Sequence, residues 1–365
     1  MPTLRKIVVQ NFRNIQLQEL EFSPNVNCIS GNNGEGKTNL LDAIYYLSMT
    51  KSAFNSSDRF NFRYGQDSFS LSGLYSMPAG IESRFSIKVD SGGDKILKRD
   101  DKQYTKISDH IGELPVVMVS PQDISLVSES GDERRRFVNS VLSQMDREYL
   151  AALQQYNRLL LQRNRLLKDG TASEDLLEAF DLRMSALAQP VYERRKSFVQ
   201  ELADVVKDYY SIISEGREQV GIEYRSDLQG GSLDALLRDR RDKDAAMRFT
   251  TAGIQRDDFF FSLDGYPIRK CGSQGQQKSF LVALKFAQYE VMKQKYGFTP
   301  MLLLDDLFDK LDMGRIANLL KMVAGQDFGQ IFLSDSNKVR MSGIVDEITR
   351  DRAYFEAEGG SFSVL

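Results

Sequence analysis

Eight consecutive residues near the N-terminus have the types and spacing of a phosphate-binding loop. In order they are Gly31, Asn32, Asn33, Gly34, Glu35, Gly36, Lys37 and Thr38, which fit the pattern G-x-x-x-x-G-K-[ST]. Glycines let backbone N–H groups wrap phosphate oxygens, and the N-terminus of a following helix adds positive potential. We therefore expect these residues and Asn39 to bind ATP, with Lys37 on the β- and γ-phosphates and the Thr38 hydroxyl on Mg²⁺.

A pair of acidic residues follows a strongly apolar run towards the C-terminal end. Residues 301–304 read MLLL, which predicts a buried strand, and Asp305 and Asp306 come directly after them. Because a phosphate-binding loop needs a carboxylate to complete the Mg²⁺ shell, Asp305 is the predicted second metal ligand. Asp306 is predicted to polarise the attacking water, which makes it the catalytic partner of Lys37.

A third group consists of Ser273, Gly275 and Gln276, at the start of a predicted helix that precedes the acidic pair. Small residues at a helix N-terminus can form another anion site of phosphate size. In this order along the chain, the three groups resemble the motifs of ABC-type ATPases, with the third as the signature motif. That resemblance implies that the signature of one protomer caps the γ-phosphate held by another, so that ATP joins two heads into a homodimer.

The elements that must position these residues follow from hydrophobic periodicity. Predicted strands cover residues 4–9, 17–22, 26–29, 115–120, 258–263, 301–304 and 330–334, and residues 60–104 form an antiparallel β region. Predicted helices cover residues 38–49, 146–168, 180–209, 276–296 and 315–323. The two long helices lie in a stretch rich in Glu, Arg, Leu, Gln and Lys, and Pro190 is expected to kink or restart the second of them.

The predicted fold class is α/β, an ABC/SMC-like P-loop ATPase head with mixed β-sheets and helices. The head is assembled from both termini, because β/α alternation occurs at both ends and a helical stretch interrupts it. Residues 1–126 are the predicted N-terminal part of the head with the phosphate-binding loop. Residues 127–248 are an inserted helical arm, and residues 249–365 are the C-terminal part of the head, with the signature motif and the acidic strand.

The bulk properties exclude some classes of protein. The chain has 365 residues and a formal net charge of −3, and 41% of its residues are hydrophobic. No apolar run approaches the roughly 20 residues that cross a bilayer, and the N-terminus lacks the apolar core of a signal peptide. These features predict a cytoplasmic protein without a membrane partner. Net charge does not decide nucleic-acid binding, because phosphates respond to local patches of charge.

Several further segments resemble the RecF family of bacterial recombination mediators, whose heads are similar to those of SMC proteins. They are residues 11–14 (NFRN), 36–45 (GKTNLLDAIY), 121–123 (PQD), 134–137 (RRRF), 251–258 (TAGIQRDD), 272–277 (GSQGQQ) and 305–312 (DDLFDKLD). Together they extend over nearly the whole chain. The short arm separates the chain from SMC proteins, which carry far longer coiled coils. The arginine-rich arm separates it from transporter cassettes.

The resemblance implies an ATP-dependent DNA-binding protein of recombinational repair, replication-fork maintenance and the SOS response. An ATP-bound homodimer would engage gapped or duplex DNA, cooperate with RecR and RecO, and help to load RecA at single-strand gaps. Weak, DNA-stimulated ATP hydrolysis would release it. The short side chain of Asp306, where many ABC enzymes have Glu, agrees with slow turnover.

The chain also departs from the family pattern at several positions. Gln122 stands where the family usually has an acidic residue, and we keep it as a candidate catalytic residue. Gln255 occupies a position that is often His, and Lys310 replaces an acidic residue. These departures leave both phosphate-binding groups and both acids in place.

Arginines of the predicted arm are the candidate DNA contacts. They are Arg134, Arg135, Arg136, Arg163 and Arg165, in a region where acidic residues are few around the first helix. The alternative interpretation of such a cluster is a solvated helix face. Arg13 is a candidate nucleotide contact by resemblance, or else a surface charge beside a strand.

Two other functions remain open from the sequence. An ATP-gated scaffold that hardly hydrolyses ATP would bind DNA and proteins, and ATP turnover measured with and without DNA distinguishes it from an ATPase. A transporter-type ABC ATPase is disfavoured by the arginine-rich arm, and membrane association on fractionation would favour it again.

Overall fold

The computed structural model describes residues 1–129, 131–170, 173–306 and 328–365. These residues form two compact units. Met1–Asp123 and Lys285–Leu365 make the first unit, and Ile124–Leu284 make the second. The helix predicted over residues 315–323 and the departure at Lys310 lie outside the described residues. Among the helices that are described, none is long and apolar enough to cross a membrane.

The strands form where apolar residues alternate with polar ones or stand in short apolar runs. In chain order they are β1 (Thr3–Phe12), β2 (Ile15–Glu21), β3 (Val26–Ser30), β4 (Ser68–Ser76), β5 (Glu82–Asp90), β6 (Lys95–Arg99), β7 (Lys102–Gln103), β8 (Val116–Val119), β9 (Val220–Arg225), β10 (Asp258–Leu263), β11 (Tyr266–Pro267), β12 (Met301–Asp305), β13 (Ile331–Asp335), β14 (Arg352–Glu358) and β15 (Ser361–Val364).

The helices of the described residues are α1 (Lys37–Met49), α2 (Ser125–Ser128), α3 (Gly131–Met145), α4 (Arg147–Asp169), α5 (Glu174–Ser214), α6 (Leu233–Asp239), α7 (Arg241–Met247), α8 (Ile268–Cys271), α9 (Gln274–Tyr296) and α10 (Lys338–Ile348). Local chemistry sets the ends of the long ones. The Asp146 carboxylate accepts two backbone N–H bonds at the start of α4, and Gly170 ends that helix with φ of 67°. Ser173 caps α5 in the same way as Asp146 caps α4.

A largely parallel sheet is the centre of the first unit. Its strand order is β15-β14-β3-β13-β12-β8, and β15 alone runs antiparallel to its neighbour. Every residue of β3, β8, β12 and β13 is buried, as expected for strands of a parallel sheet that is covered on both faces. Because parallel strands end at the same edge, the residues that follow them are brought together there.

An antiparallel sheet completes the first unit, in the order β2-β1-β4-β5-β6-β7. β4 alternates half-buried and buried residues along its whole length, so one face of the sheet is directed into the core. The α1 ring of Tyr46 packs edge-on against Phe12 and Phe69, with centroid separations of 6.0 and 5.3 Å. α1 is therefore fixed by the apolar core on the side away from the phosphate-binding loop.

The second unit combines helices with a small sheet, β11-β10-β9. α4 and α5 pack along their apolar stripes, which include Tyr156 and Met184, both fully buried. Two arginines are also fully buried in this unit. Arg163 pairs with Asp181 and Asp244, and Arg195 pairs with a third buried carboxylate. Each buried guanidinium is thus neutralised by carboxylates, as burial requires.

The structure corrects two expectations about the elements. α5 runs from Glu174 to Ser214 without interruption, so Pro190 does not restart it. The strand β9 lies in the stretch that was expected to be purely helical, and β14 and β15 were not predicted at all. β9 has only six residues, too few for an alternation of apolar and polar residues to be recognised between long helices.

The domain boundaries also differ from the predicted ones. The second unit ends at Leu284 rather than at residue 248, so it includes the signature motif and the residues from 249 onwards that precede it. The reason is strand pairing. β10 pairs with β9 over all six of its residues, from Asp258 opposite Arg225 to Leu263 opposite Val220. This pairing places β10 in the same unit as β9.

Candidate functional site

The candidate nucleotide site lies at the carboxyl edge of the parallel sheet in the first unit. β3 leads into the phosphate-binding loop, and β12 ends at Asp305. Between them, β13 places Ser334 opposite Asp305 and Asp335 opposite Ser30. In open α/β sheets this edge is where ligands bind. The predicted loop and the predicted acid, far apart in sequence, are therefore one strand apart in space.

The phosphate-binding loop connects β3 to α1. α1 begins at Lys37, and Gly36 precedes it with φ of 107°. Residues 32–34 are exposed, whereas Lys37 is buried. The Lys37 ammonium donates to the carbonyls of Gly31 and Asn32 at 2.8 and 3.0 Å. An ammonium has three N–H donors, so one remains for a phosphate oxygen.

Thr38 and Asp305 are in direct contact. The Thr38 hydroxyl lies 3.0 and 2.9 Å from the two carboxylate oxygens of Asp305. Ser334 donates a further hydrogen bond of 2.6 Å to the same carboxylate, which is only 3% exposed. Burial raises the pKa of Asp305 above its ordinary value, and the bonds from Ser334 and Thr38 oppose that rise. A carboxylate in this setting is favoured in its charged form when a cation is beside it.

The residues present fit Mg²⁺. Mg²⁺ prefers oxygen ligands and is usually held by one or two carboxylates together with substrate phosphates. Thr38 and Asp305 supply a hydroxyl and a buried carboxylate at one point, beside the Lys37 loop. They are the residues that would hold the ion. When bound, Mg²⁺ supplies positive charge to the β- and γ-phosphate oxygens.

Two segments outside the predicted motif hold the loop in place. Asn14, in the turn between β1 and β2, donates to the Glu35 carbonyl at 3.4 Å and accepts from Asn39 at 2.7 Å. In the turn between β14 and β15, the Gly360 N–H donates to the Glu35 carbonyl at 2.9 Å. The neighbouring Gly359 N–H donates to the Glu35 carboxylate. Asn14 belongs to the NFRN segment that resembles the RecF family, although no role was predicted for it. The turn of Gly359 and Gly360 was not predicted.

Two glycines of the loop are required by these neighbours as well as by phosphate. A Cβ on Gly31 would lie 2.6 Å from the Ala357 carbonyl oxygen, and a Cβ on Gly36 would lie 2.8 Å from the Asn14 side chain. Both glycines also have φ in the left-handed region, at 148° and 107°. The spacing of glycines in the motif therefore also reflects how closely the surrounding backbone packs.

Arg13 lies beside α1 rather than on the surface. Its guanidinium donates to Asn39 at 2.9 Å and to the fully buried Asp42 at 2.6 Å, and it also contacts Ser52 at 3.0 Å. Burial raises the pKa of Asp42, and the charge of Arg13 lowers it. The alternative of a plain surface charge is wrong, because Arg13 is 15% exposed and paired. A direct contact of Arg13 with nucleotide stays a prediction.

The two other predicted catalytic residues lie on the same sheet edge. Asp306 follows β12 with φ of 42°, and its N–H donates to Ser334 at 3.2 and 3.1 Å, to the carbonyl and the hydroxyl respectively. Gln122 is exposed in the 3₁₀ turn Pro121–Ile124 that follows β8, the strand next to β12. Their catalytic roles stay predictions.

The signature residues form the start of α9 in the second unit. The Ser273 hydroxyl accepts from the Gln276 N–H at 3.3 Å, and the Gln276 side chain accepts from the Ser273 N–H at 2.6 Å. This reciprocal pair is a capping box. Ser273 is exposed, and Gln276 donates further to Glu218 at 2.7 Å. The motif thus has a structural role in its own protomer, and the exposed Ser273 at a helix N-terminus has the geometry of an anion contact.

The three consecutive arginines of α3 differ in exposure and in their partners. Arg134 forms two bonds to Asp258, of 2.8 and 3.1 Å, and also donates to two backbone carbonyls. Arg135 donates to the Asp257 carbonyl at 2.6 Å. Arg136 is 71% exposed and pairs with Glu133 in the same helix. The structure therefore ties Arg134 to the TAGIQRDD segment and leaves Arg136 as the accessible member of the run.

The two predicted DNA contacts on α4 have opposite environments. Arg163 is fully buried, with bonds of 2.7 Å to both Asp181 and Asp244, so its assignment as a DNA contact is wrong. It lies on the apolar stripe of α4, one turn before Leu167. Arg165 is 85% exposed and only loosely paired with Asp169, at 3.8 Å.

A second cation surface becomes visible on α4. Arg158, Arg165 and Lys168 are exposed, and their spacing places them on one face of the helix together with the exposed Leu161. Arg158 and Lys168 were not among the predicted site residues. Arg158 and Arg165 are seven residues apart, and Arg165 and Lys168 are three apart. This spacing could have identified them in the sequence, because it places them on the helix face opposite the buried apolar stripe.

Comparison with known proteins agrees with this architecture. The profile of the RecF/RecN/SMC N terminal domain matches residues 3–350. The DNA replication and repair protein RecF of Bacteroides fragilis strain YCH46 is 42% identical over 363 residues, which cover 99% of this chain and 98% of that protein. RecF of Parabacteroides distasonis is 43% identical over 357 residues, which cover 98% of each chain.

Solved structures extend the similarity to three dimensions. A structure of the recombination mediator protein RecF with ATP, described as part of the RecFOR pathway, superposes with a TM-score of 0.88 at 29% identity and covers 100% of this chain and 98% of that one. The Smc head domain of Pyrococcus furiosus gives a TM-score of 0.58 at 14% identity and covers 100% and 96%, so it shares the fold. The fold is therefore that of an ABC/SMC-like P-loop ATPase head, and the chain belongs to the RecF family.

Proposed function

We propose that the protein is an ATP-dependent DNA-binding protein of recombinational repair, in which ATP with Mg²⁺ joins two copies into a homodimer on gapped or duplex DNA. Slow, DNA-stimulated hydrolysis would then release the dimer. RecR and RecO are its proposed partners, and the proposed output is the loading of RecA at single-strand gaps. The observation that carries the proposal is the contact of Thr38 with the buried Asp305 beside Lys37, at 2.9 and 3.0 Å.

The chemistry follows from residues of the first unit. Lys37 and the backbone N–H groups of the loop bind and orient the phosphates of ATP. Asp306 orients a water molecule and accepts its proton as the water oxygen bonds to the γ-phosphorus. The bond from the γ-phosphorus to the β,γ-bridging oxygen of ATP breaks, and ADP leaves with that oxygen. Thr38 and Asp305 would hold Mg²⁺, which would supply positive charge to the phosphates.

The second half of the site would come from another protomer. Ser273 is exposed at the N-terminus of a helix of 23 residues, and its N–H and hydroxyl are held in a fixed geometry by Gln276. Gly275 next to it leaves room for a phosphate. We place Ser273, Gly275 and Gln276 of one copy on the γ-phosphate held by another, so that hydrolysis separates the copies.

The DNA contacts belong to exposed cations of the second unit. Arg136 and the α4 face of Arg158, Arg165 and Lys168 are accessible, whereas Arg134 and Arg163 are committed to carboxylates of their own unit. Exposed cations on one helix face contact phosphates without reading sequence. This agrees with a protein that recognises DNA structure.

The experiment is the solution mass of the full chain by light scattering, with Mg-ATP, with Mg-ADP, and with each nucleotide plus a gapped duplex. A dimer with Mg-ATP alone, stabilised further by the gapped duplex, is the expected result. The Lys37→Met chain is the control and should stay monomeric in every condition.

A monomer in every condition, despite measurable ATP binding, would contradict the proposal. A stable ATP dimer with no phosphate release, with or without DNA, would support the scaffold instead. Phosphate release measured in the same samples separates these two results.

A further inference from the structure

The segment of residues 51–67 joins α1 to β4. Among the described residues of the first unit, it carries two strongly exposed aromatic rings that stand next to arginines. We call it the aromatic loop. Phe60 is 63% exposed and Tyr64 is 101% exposed. Each follows an arginine directly, in the sequence Arg59-Phe60-Asn61-Phe62-Arg63-Tyr64. Two exposed rings four residues apart, each beside an arginine, are the combination that stacks on bases and contacts phosphates.

The loop has a defined shape that presents these rings. Asn61 is buried and its carbonyl accepts from the Arg13 N–H at 2.8 Å, while the Phe62 ring packs on Phe69 with centroids 5.5 Å apart. Phe60 and Tyr64 flank these inward residues. A turn, closed by a bond of 3.0 Å from the Gln66 N–H to the Arg63 carbonyl, holds Tyr64 at its tip.

The charge of the loop favours a polyanion. Within the described residues, the guanidinium groups of Arg59 and Arg63 make no ion pair. Asp58 is neutralised by Lys95 at 2.9 Å, which leaves Asp67 at the far end as the loop's one exposed acid.

We propose that the aromatic loop binds unpaired nucleotides of single-stranded DNA, with bases stacked on Phe60 and Tyr64 and phosphates on Arg59 and Arg63. Aromatic rings stack on bases of any sequence, and adjacent cations follow the backbone. This inference rests on the proposed function. It explains why the protein would bind gapped DNA in preference to blunt duplex, because a blunt duplex has no unpaired base that can stack on the rings.

The loop is also joined to the nucleotide site. The Ser52 hydroxyl donates to Asp42 at 2.8 Å, and the Ala53 N–H donates to the same carboxylate at 2.7 Å. Asp42 lies on α1 and pairs with Arg13, which contacts Asn39. The loop is therefore tied by two direct hydrogen bonds to α1, the helix that carries Lys37 and Thr38.

The first test uses tryptophan fluorescence, because the chain contains no Trp. Tyr64→Trp gives the full-length protein a single tryptophan, at the tip of the loop. With Mg-ATP, oligothymidylate should quench its emission by stacking, and blunt duplex should not. Leu17→Trp, at a site that is 66% exposed on β2, is the matched control and should not respond. Quenching of the Tyr64→Trp chain by Mg-ATP without DNA would overturn the inference in favour of adenine.

The second test is affinity, measured by anisotropy of labelled DNA. Phe60→Ala with Tyr64→Ala should weaken binding of oligothymidylate about tenfold or more and leave blunt duplex unchanged. Leu17→Ala with Ile81→Ala, also exposed apolar sites of the first unit, should change neither affinity. If the unsubstituted chain binds both DNAs and the loop variant binds them equally well, the inference is wrong and the proposed function stands. If the unsubstituted chain binds no DNA, both are wrong.

Discussion

The N–H of Gly360, in the last turn of the chain, donates a hydrogen bond of 2.9 Å to the carbonyl of Glu35, in the middle of the phosphate-binding loop. The C-terminal hairpin is therefore a positioning element of the nucleotide site. A Cβ on Gly360 would lie 2.5 Å from the Asn14 carbonyl oxygen, whereas a Cβ on Gly359 has open space. Both glycines have positive φ, at 85° and 57°.

This contrast gives a matched pair of variants. Asn tolerates a left-handed backbone, so Gly359→Asn and Gly360→Asn differ mainly in the collision with Asn14. Forcing that contact should cost about 1–3 kcal/mol, which would weaken ATP binding by about 5- to 150-fold in Gly360→Asn. Gly359→Asn should bind ATP nearly normally. Titration with a fluorescent ATP analogue checks this, and equal affinities would show that the hairpin does not position the loop.

Ser273→Arg should separate nucleotide binding from dimerisation. The substitution puts a long side chain at the exposed start of α9, far along the chain from the phosphate-binding loop. ATP affinity should stay within about twofold of the unsubstituted chain, because surface changes away from a site have small effects. Sedimentation with Mg-ATP should show monomers. A normal dimer would show that the signature does not act on the nucleotide of another copy.

Asp306→Asn should slow hydrolysis without loss of ATP binding. Removing a general base typically lowers the rate by about 10²–10⁴-fold. The variant should bind ATP normally and persist as a dimer on DNA. Single-turnover phosphate release and the lifetime of the dimer are the measurements. Rapid dissociation coupled to normal phosphate release would exclude Asp306 from the reaction.

The same substitution should destabilise the protein far more at Arg163 than at Arg165. Arg163→Met leaves two buried carboxylates without their main cation, so it should destabilise the second unit by about 3–5 kcal/mol. Arg165→Met removes an exposed charge and should cost less than about 1 kcal/mol. Urea denaturation of both variants measures this difference in stability.

Arg165→Met should also change DNA binding. The slope of log affinity against log salt should flatten by roughly 0.9 on duplex DNA, because one phosphate contact is lost. An unchanged slope would move the phosphate contacts elsewhere.

His110 should make stability depend on pH. It is the one histidine of the sequence and is fully buried, and its Nε2 donates to the Leu47 carbonyl at 2.7 Å. Burial lowers the pKa of His110 below its ordinary value of about 6.5, opposed by that bond and by Glu113. The unfolded chain then binds the proton more readily than the folded one. Stability is therefore full above about pH 6.5 and is lost as pH falls below it, by up to about 1.4 kcal/mol per pH unit.

His110→Gln removes this titration but keeps an N–H that can donate to Leu47. Its urea midpoint should be lower than that of the unsubstituted chain at pH 7.5, and the difference should shrink at pH 5.5. Parallel pH profiles for the two chains would show that His110 does not titrate with unfolding.

The sequence by itself determined the local chemistry of the site. The phosphate-binding loop consists of eight consecutive residues, 31–38, and leads directly into α1. Its function can therefore be recognised from a short stretch of sequence. The start of α9 is equally local, because Ser273 and Gln276 are three residues apart in a capping box. The residues before Asp305 are a continuous apolar run, which is typical of a strand buried on both faces of a parallel sheet.

The tertiary structure decided which distant residues meet these motifs. Ser334 reaches Asp305 because β13 and β12 are neighbours, and Gly360 reaches Glu35 because β14 lies beside β3. Neither pairing has a local signal, since strand order depends on the whole sheet. The sequence also could not show which charged side chains are buried. Arg163 and Arg165 are indistinguishable by residue type, and only the packing of α4 puts one between two buried carboxylates and the other in solvent.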